Sequence, residues 1–141
     1  GPIAIAYDSF NNAVWVASYG DAGEGDTTSF VEKFNAETGA YITSSVSYMY
    51  SIPTAIAYDP TQNAVWMTSS NALQKFNAST GAQIGTNITT GINPVSVAYD
   101  STQNAVWVAS YGSNTLQKFN ASTGVLSQNN FIIFRAMMYT I

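Results

Sequence analysis

The chain has 141 residues, suited to one domain; 46% are apolar, enough for a core, and only 9% are charged, far below the ~25% of ordinary soluble proteins. Eight acidic residues against four basic ones leave a net charge of −4, and the absence of any basic patch argues against a nucleic-acid partner. Cysteine and histidine are both missing, which removes disulfides, thiolate metal sites, the commonest general base and the commonest metal ligand.

In chain order, the first run is IAIAY at residues 3–7, where larger and small residues alternate at the period of a strand. YDSFNN follows, and its Asp and Asn favour a tight turn because their side chains bond nearby backbone amides. AVWVAS, residues 13–18, is the second predicted strand. It is apolar on both faces, with Ala13, Trp15 and Ala17 on one and Val14 and Val16 on the other. The loop DAGEGDTTS leads to the third run, FVEKF at residues 30–34. NAETG then ends in Gly39, which supplies the positive φ of a bulged hairpin turn. YITSSVSYMY reads as a weaker, polar fourth strand.

The same order returns twice. AIAY, AVWMTS and LQKF form the second unit; VSVAY, AVWVAS and LQKF form the third. LQKFNASTG is identical at residues 73–81 and 116–124. The units run over residues 1–51, 52–92 and 93–134, followed by a tail at 135–141. No helix signal is present, and no stretch reaches 18 apolar residues, so no membrane-spanning helix is predicted.

A strand that is apolar on both sides needs a sheet on each side, and radially packed blades supply that. Ala4, Ala6, Ala55, Ala57, Ser96 and Ala98 give the first run of each unit the small residues that a crowded strand near an axis accepts. Four strands in a repeat of about 41 residues match a propeller blade. The predicted fold is therefore all-β: three four-stranded antiparallel β-propeller blades, half of a six-bladed propeller.

The pattern P-x-x-I/V-A-Y-D-x-x-x-N-A-V-W-V-A-S followed by L-Q-K-F-N-A-x-T-G resembles the NHL and YVTN-type β-propeller repeats, and those of streptogramin-lyase-like propellers. It covers residues 2–124. The resemblance implies six or seven blades, and three leave two apolar ends bare. Either two copies close a six-bladed ring as a homodimer, or the chain is a piece of a longer propeller.

FIIFRAMMYTI at residues 131–141 breaks the pattern. Residues 130–134 are expected to form the last outer strand. The sharper alternative adds the tail as a strand to a neighbouring chain.

Candidate sites are few. Asp8, Asp59 and Asp100 recur at one blade position, where a ring of carboxylates could hold a cation; acceptance of turn hydrogen bonds is the stronger reading. Asp21, Glu24 and Asp26 in the inserted loop are the candidate Ca2+ ligands, although acidic loops are more often only solvated. Tyr19 and Tyr111 are binding-face candidates for a carbohydrate or protein ligand, with packing on the adjacent blade as the ordinary alternative. Trp15, Trp66 and Trp107 are structural repeat positions. Lys33, Lys75 and Lys118 read as exposed strand residues with solvated ends. Asn77, Asn87 and Asn120 fit the N-glycosylation pattern.

No catalytic residue and no cofactor site is legible. The leading expectation is a non-catalytic propeller module for binding or assembly, self-associating, with a neutral polar surface suited to an extracellular or cell-surface setting. One alternative is a fragment of a streptogramin-lyase-like or lactonase-like propeller enzyme. The first kind implies a histidine base, and the second a channel metal held by Asp, Glu and Asn; neither set is present here. The other alternative is a structural subunit of a surface layer or filament.

Overall fold

The computed structural model describes residues 1–21, 27–47 and 52–132. Among them the regular elements are all strands. The first unit gives β1 (Pro2–Asp8), β2 (Ala13–Asp21), β3 (Thr27–Asn35) and β4 (Tyr41–Ser47). The second gives β5 (Pro53–Asp59), β6 (Ala64–Ser69), β7 (Ala72–Asn77) and β8 (Ile88–Thr89). The third gives β9 (Pro94–Asp100), β10 (Ala105–Ser110), β11 (Thr115–Asn120) and β12 (Leu126–Phe131). Each unit is one four-stranded antiparallel sheet whose strands lie side by side in chain order.

Turn chemistry holds the registers. In the first turn of each unit an Asn stands at positive φ: Asn12 at 46°, Asn63 at 46° and Asn104 at 47°. Asn tolerates this left-handed backbone better than most residues. After the third strand, Gly39, Gly81 and Gly124 adopt φ of 71°, 78° and 73°. Ahead of each glycine an Asn side chain closes the loop. Asn77 Oδ1 accepts the backbone N–H of Ser79 and Thr80, and Asn35 and Asn120 repeat the arrangement.

The three sheets stack face to face, with β1, β5 and β9 adjacent. Each blade has two unlike faces. One carries the Trp, and the other carries the Val of the A-V-W triplet and the Phe of the third strand. Between the first and second blades, Trp15, Ala17 and Val31 meet Ile56, Val65, Met67 and Phe76. Between the second and third, Trp66 and Leu73 meet Val97, Val106, Val108 and Phe119. The core is thus two slabs between three sheets. The middle blade is buried on both sides: β6 has no exposed or half-buried residue.

One expected boundary needs correction. The last outer strand is Leu126–Phe131, earlier than residues 130–134. Its side chains are exposed throughout, so the apolar run in the tail was a false guide to an edge strand that buries none of its side chains. The second blade's outer strand shrinks to Ile88–Thr89, supplemented by a bridge between Phe76 and Gln83. The tail beyond residue 132 lies outside the described residues.

Candidate functional site

The repeat gives each position an internal control. Ile56 and Val97 are each 8% exposed, whereas their counterpart in the first blade, Ile5, is 69% exposed. Trp15 and Trp66 are buried, but Trp107 is only half-buried. Ala78 and Ala121 are buried, and Ala36 is exposed. The residue type is the same or nearly so; only the neighbouring blade differs. Among the described residues two blade faces therefore stand open. On the first blade these are Ile5, Tyr7, Val14, Val16 and Phe34; on the third, Ala98, Trp107, Ala109 and Leu116.

A polar device recurs at each joint, and it overturns the reading of Lys33 and Lys75 as solvated. Lys33 and Lys75 are buried. Lys33 Nζ donates to the Ala78 carbonyl of the next blade at 2.6 Å, and Lys75 Nζ donates to the Ala121 carbonyl at 2.9 Å. Each ammonium also sits over the indole of its own blade, 5.4 Å from the Trp15 centroid and 5.0 Å from that of Trp66. Such a cation–π contact is worth about 1 kcal/mol. A carboxylate bonds the edge of each indole. Trp15 Nε1 donates to Asp8 Oδ2 at 3.2 Å, Trp66 Nε1 to Asp59 Oδ2 at 3.4 Å, and Trp107 Nε1 to Asp100 Oδ2 at 3.4 Å. A carboxylate on the indole N–H makes the ring face more negative, which favours the ammonium above it.

Sequence reasoning missed this Asp–Trp–Lys unit, although a signal was present. Trp15 pairs with Lys33, Trp66 with Lys75 and Trp107 with Lys118 as direct cross-strand neighbours. Antiparallel counting outward from the hairpins predicts that pairing.

Further bonds cross the joints. Asn11 Nδ2 donates to Asn63 Oδ1 at 3.0 Å, and the Tyr99 hydroxyl donates to Thr61 Oγ1 at 2.7 Å. Gln62 Nε2 donates to Ser122 Oγ. Burial, and then the neighbouring Asp8 carboxylate, push the Tyr58 hydroxyl up to about 12. Burial lowers the Lys75 ammonium below the usual lysine range, with the charge of Asp59 opposing.

The three aspartates are not brought together as a ring. Asp8 Oδ1 accepts the Asn11 amide, Asp59 Oδ1 the Gln62 amide, and Asp100 Oδ1 the Thr102 and Gln103 amides. Among the described residues no group of three or more acidic side chains forms a metal site. Glu24, Asp26 and the side chain of Asp21 lie outside the described residues. Tyr19 lines an open cleft of about 400 Å3 with Ile52, Thr54, Ser70, Asn93 and Val95, where the inner strands of the second and third blades begin. Tyr111 does not pack on an adjacent blade; it stands 77% exposed. Asn77 and Asn120 spend their side-chain oxygens in turns, and Asn87 accepts from Gln74 and Gln83.

Superposition on solved structures decides the fold. A chain of Kuenenia stuttgartiensis hydrazine synthase matches 94% of this chain with a TM-score of 0.76 at 14% identity. The computationally designed Ika4 protein matches over 92% with a TM-score of 0.70 at 17% identity. The fold is a β-propeller arc.

A chain of a nidogen/laminin complex also matches, with a TM-score of 0.68 at 10% identity over 94% of this chain. The arc spans 36% of the hydrazine synthase chain, 48% of the nidogen/laminin one and 72% of Ika4. No family model matches the chain, and no curated protein does. Among the described residues no helix is long and apolar enough to cross a membrane.

Proposed function

We propose that this propeller arc is a non-catalytic assembly scaffold of the NHL/YVTN repeat kind, in which two copies close one six-bladed ring. One observation carries the reading. Ile5 is 69% exposed where its repeat counterparts are 8% exposed, so the same apolar position is covered twice and bare once. Removing apolar surface from water yields ~25 cal/mol per Å2, and two open faces of one chain offer that gain to a second copy. The repeat sequence supports the family reading, and the neutral polar surface suits an extracellular or cell-surface setting.

The non-catalytic reading rests on chemistry. The sequence holds neither His nor Cys. The buried carboxylates of Asp8 and Asp59 are engaged by indole and backbone N–H groups rather than poised as a base. Light scattering on a sizing column tests the assembly. A mass of twice the 15.1 kDa chain is expected; a single-chain mass at every concentration overturns it.

A second reading has its own support. The arc covers only 36% of the hydrazine synthase chain, so further blades of one longer polypeptide could cover the same faces, as in a propeller enzyme. A longer reading frame with additional repeats would favour it.

A further inference from the structure

Resting on that self-association, we infer that the third blade's Trp107 face of one copy docks on the first blade's Ile5 face of the next, unlike face on unlike face, with Lys118 of one copy bonded to the Ala36 carbonyl of the other. The chain already contains this joint twice. Lys33 reaches Ala78, and Lys75 reaches Ala121. The next acceptor in the series is Ala36, which lies exposed on the opposite end of the molecule.

Lys118 is set for the task. Its ammonium lies 5.4 Å from the Trp107 centroid, as in the two formed joints. It bonds Gln103 within its own blade. Lys75 makes the matching in-blade bond to Gln62 at 3.0 Å and, in addition, the bond to the next blade. Lys118 therefore holds the in-blade half of the device and offers the other half outward.

The remaining contacts follow by the same substitution of blades. Ile56 packs in a cluster with Trp15 and Ala17, backed by Ala4 and Ala6. Ile5 of the second copy meets Trp107 and Ala109, backed by Ser96 and Ala98. Tyr7 takes the place of Tyr99 and reaches Thr102, the counterpart of Thr61. Gln103 faces Glu37, the counterpart of Ser122, so an amide donor there meets a carboxylate instead of a hydroxyl. Like on like fails on both counts: two Trp107 faces bring two Lys118 ammonium groups together, and two Ile5 faces leave every Ala36 carbonyl without its lysine. An unlike joint made twice returns the chain to its start, which is a closed twofold ring.

Two charge insertions on exposed end-face residues test the pairing. Ile5→Glu spoils the first face and Ala98→Glu the third, each outside the chain's own core. Circular dichroism confirms that each variant is folded. Each alone is expected to run as a single chain, and an equimolar mixture as a two-chain species, because the intact faces of the two variants are complementary. If either variant alone still forms the wild-type species, the unlike pairing is wrong while self-association stands. A wild-type protein that is monomeric throughout removes both. Should a variant fail to fold, Lys118→Gln serves instead: the ring loses the charged hydrogen bond at both joints, so self-affinity falls ~hundredfold at ~tenfold per bond, and an unchanged affinity overturns the role of Lys118.

Discussion

Asp59 shows how much a single side chain organises here. One oxygen takes the Gln62 amide at 3.0 Å and the other takes the Trp66 indole at 3.4 Å, inside a fully buried site. Asp59→Asn turns one acceptor into a donor facing a donor. A loss of about 1–3 kcal/mol is expected by urea denaturation, and an unchanged midpoint would argue that the contact is idle. Tyr58 gives a pH signature. Its hydroxyl titrates near 12 in the fold and near 10 in the unfolded chain. The raised value means that its contribution is fully present below pH 10 and is lost as pH rises through 12. Lys75 has the opposite sign: its lowered value penalises the fold below that value, and the penalty lifts as pH climbs toward the unfolded one. The difference between wild type and Tyr58→Phe isolates the tyrosine. That difference should vary between pH 10 and 12 and be flat from pH 7 to 9.

Among the strands, alternation and turn chemistry carried the prediction. Ala13, Trp15 and Ala17 are buried on one face of AVWVAS, while Val14 and Val16 on the other are only half-buried. The glycine after each third strand has the positive φ expected of it. Gly81→Ala tests that constraint cleanly, since an added Cβ would come no closer than 3.6 Å to Thr43. Its cost comes from the backbone angle alone, about 1 kcal/mol or slightly more in thermal or chemical unfolding. The outer strands were the poorly legible ones. β12 exposes every side chain, and β8 has only two residues. An edge strand held by backbone bonds to one neighbour leaves little periodic trace in its side chains, so apolar Phe131–Ile132 drew the expected boundary too late. The lysines misled for the converse reason. Alternation placed them on the correct face, but whether a further blade lies over that face is not a local property.

At the scale of the molecule, stacking order sets which repeat feels water. The second blade is shielded on both sides, and among the described residues no sheet covers the Ile5 face of the first or the Trp107 face of the third. Single-tryptophan variants read this directly. In dilute protein, acrylamide should quench Trp107 well and leave Trp15 and Trp66 shielded. With rising concentration Trp107 should become shielded too, as copies cover it; quenching independent of concentration would contradict the ring.

The sequence by itself determined the repeat, the strand order and the apolar character of both faces of the tryptophan strands, because those are set by periodicity and by turn residues within a few positions of one another. Only the tertiary structure decided that Lys33 and Lys75 span from one blade to the next, that Asp8 and Asp59 hold indole nitrogens, and that Ile5 and Trp107 mark two unlike open faces. Those facts depend on how sheets far apart in the chain are laid upon one another, and three nearly identical blades acquire different surroundings solely from their place in the stack.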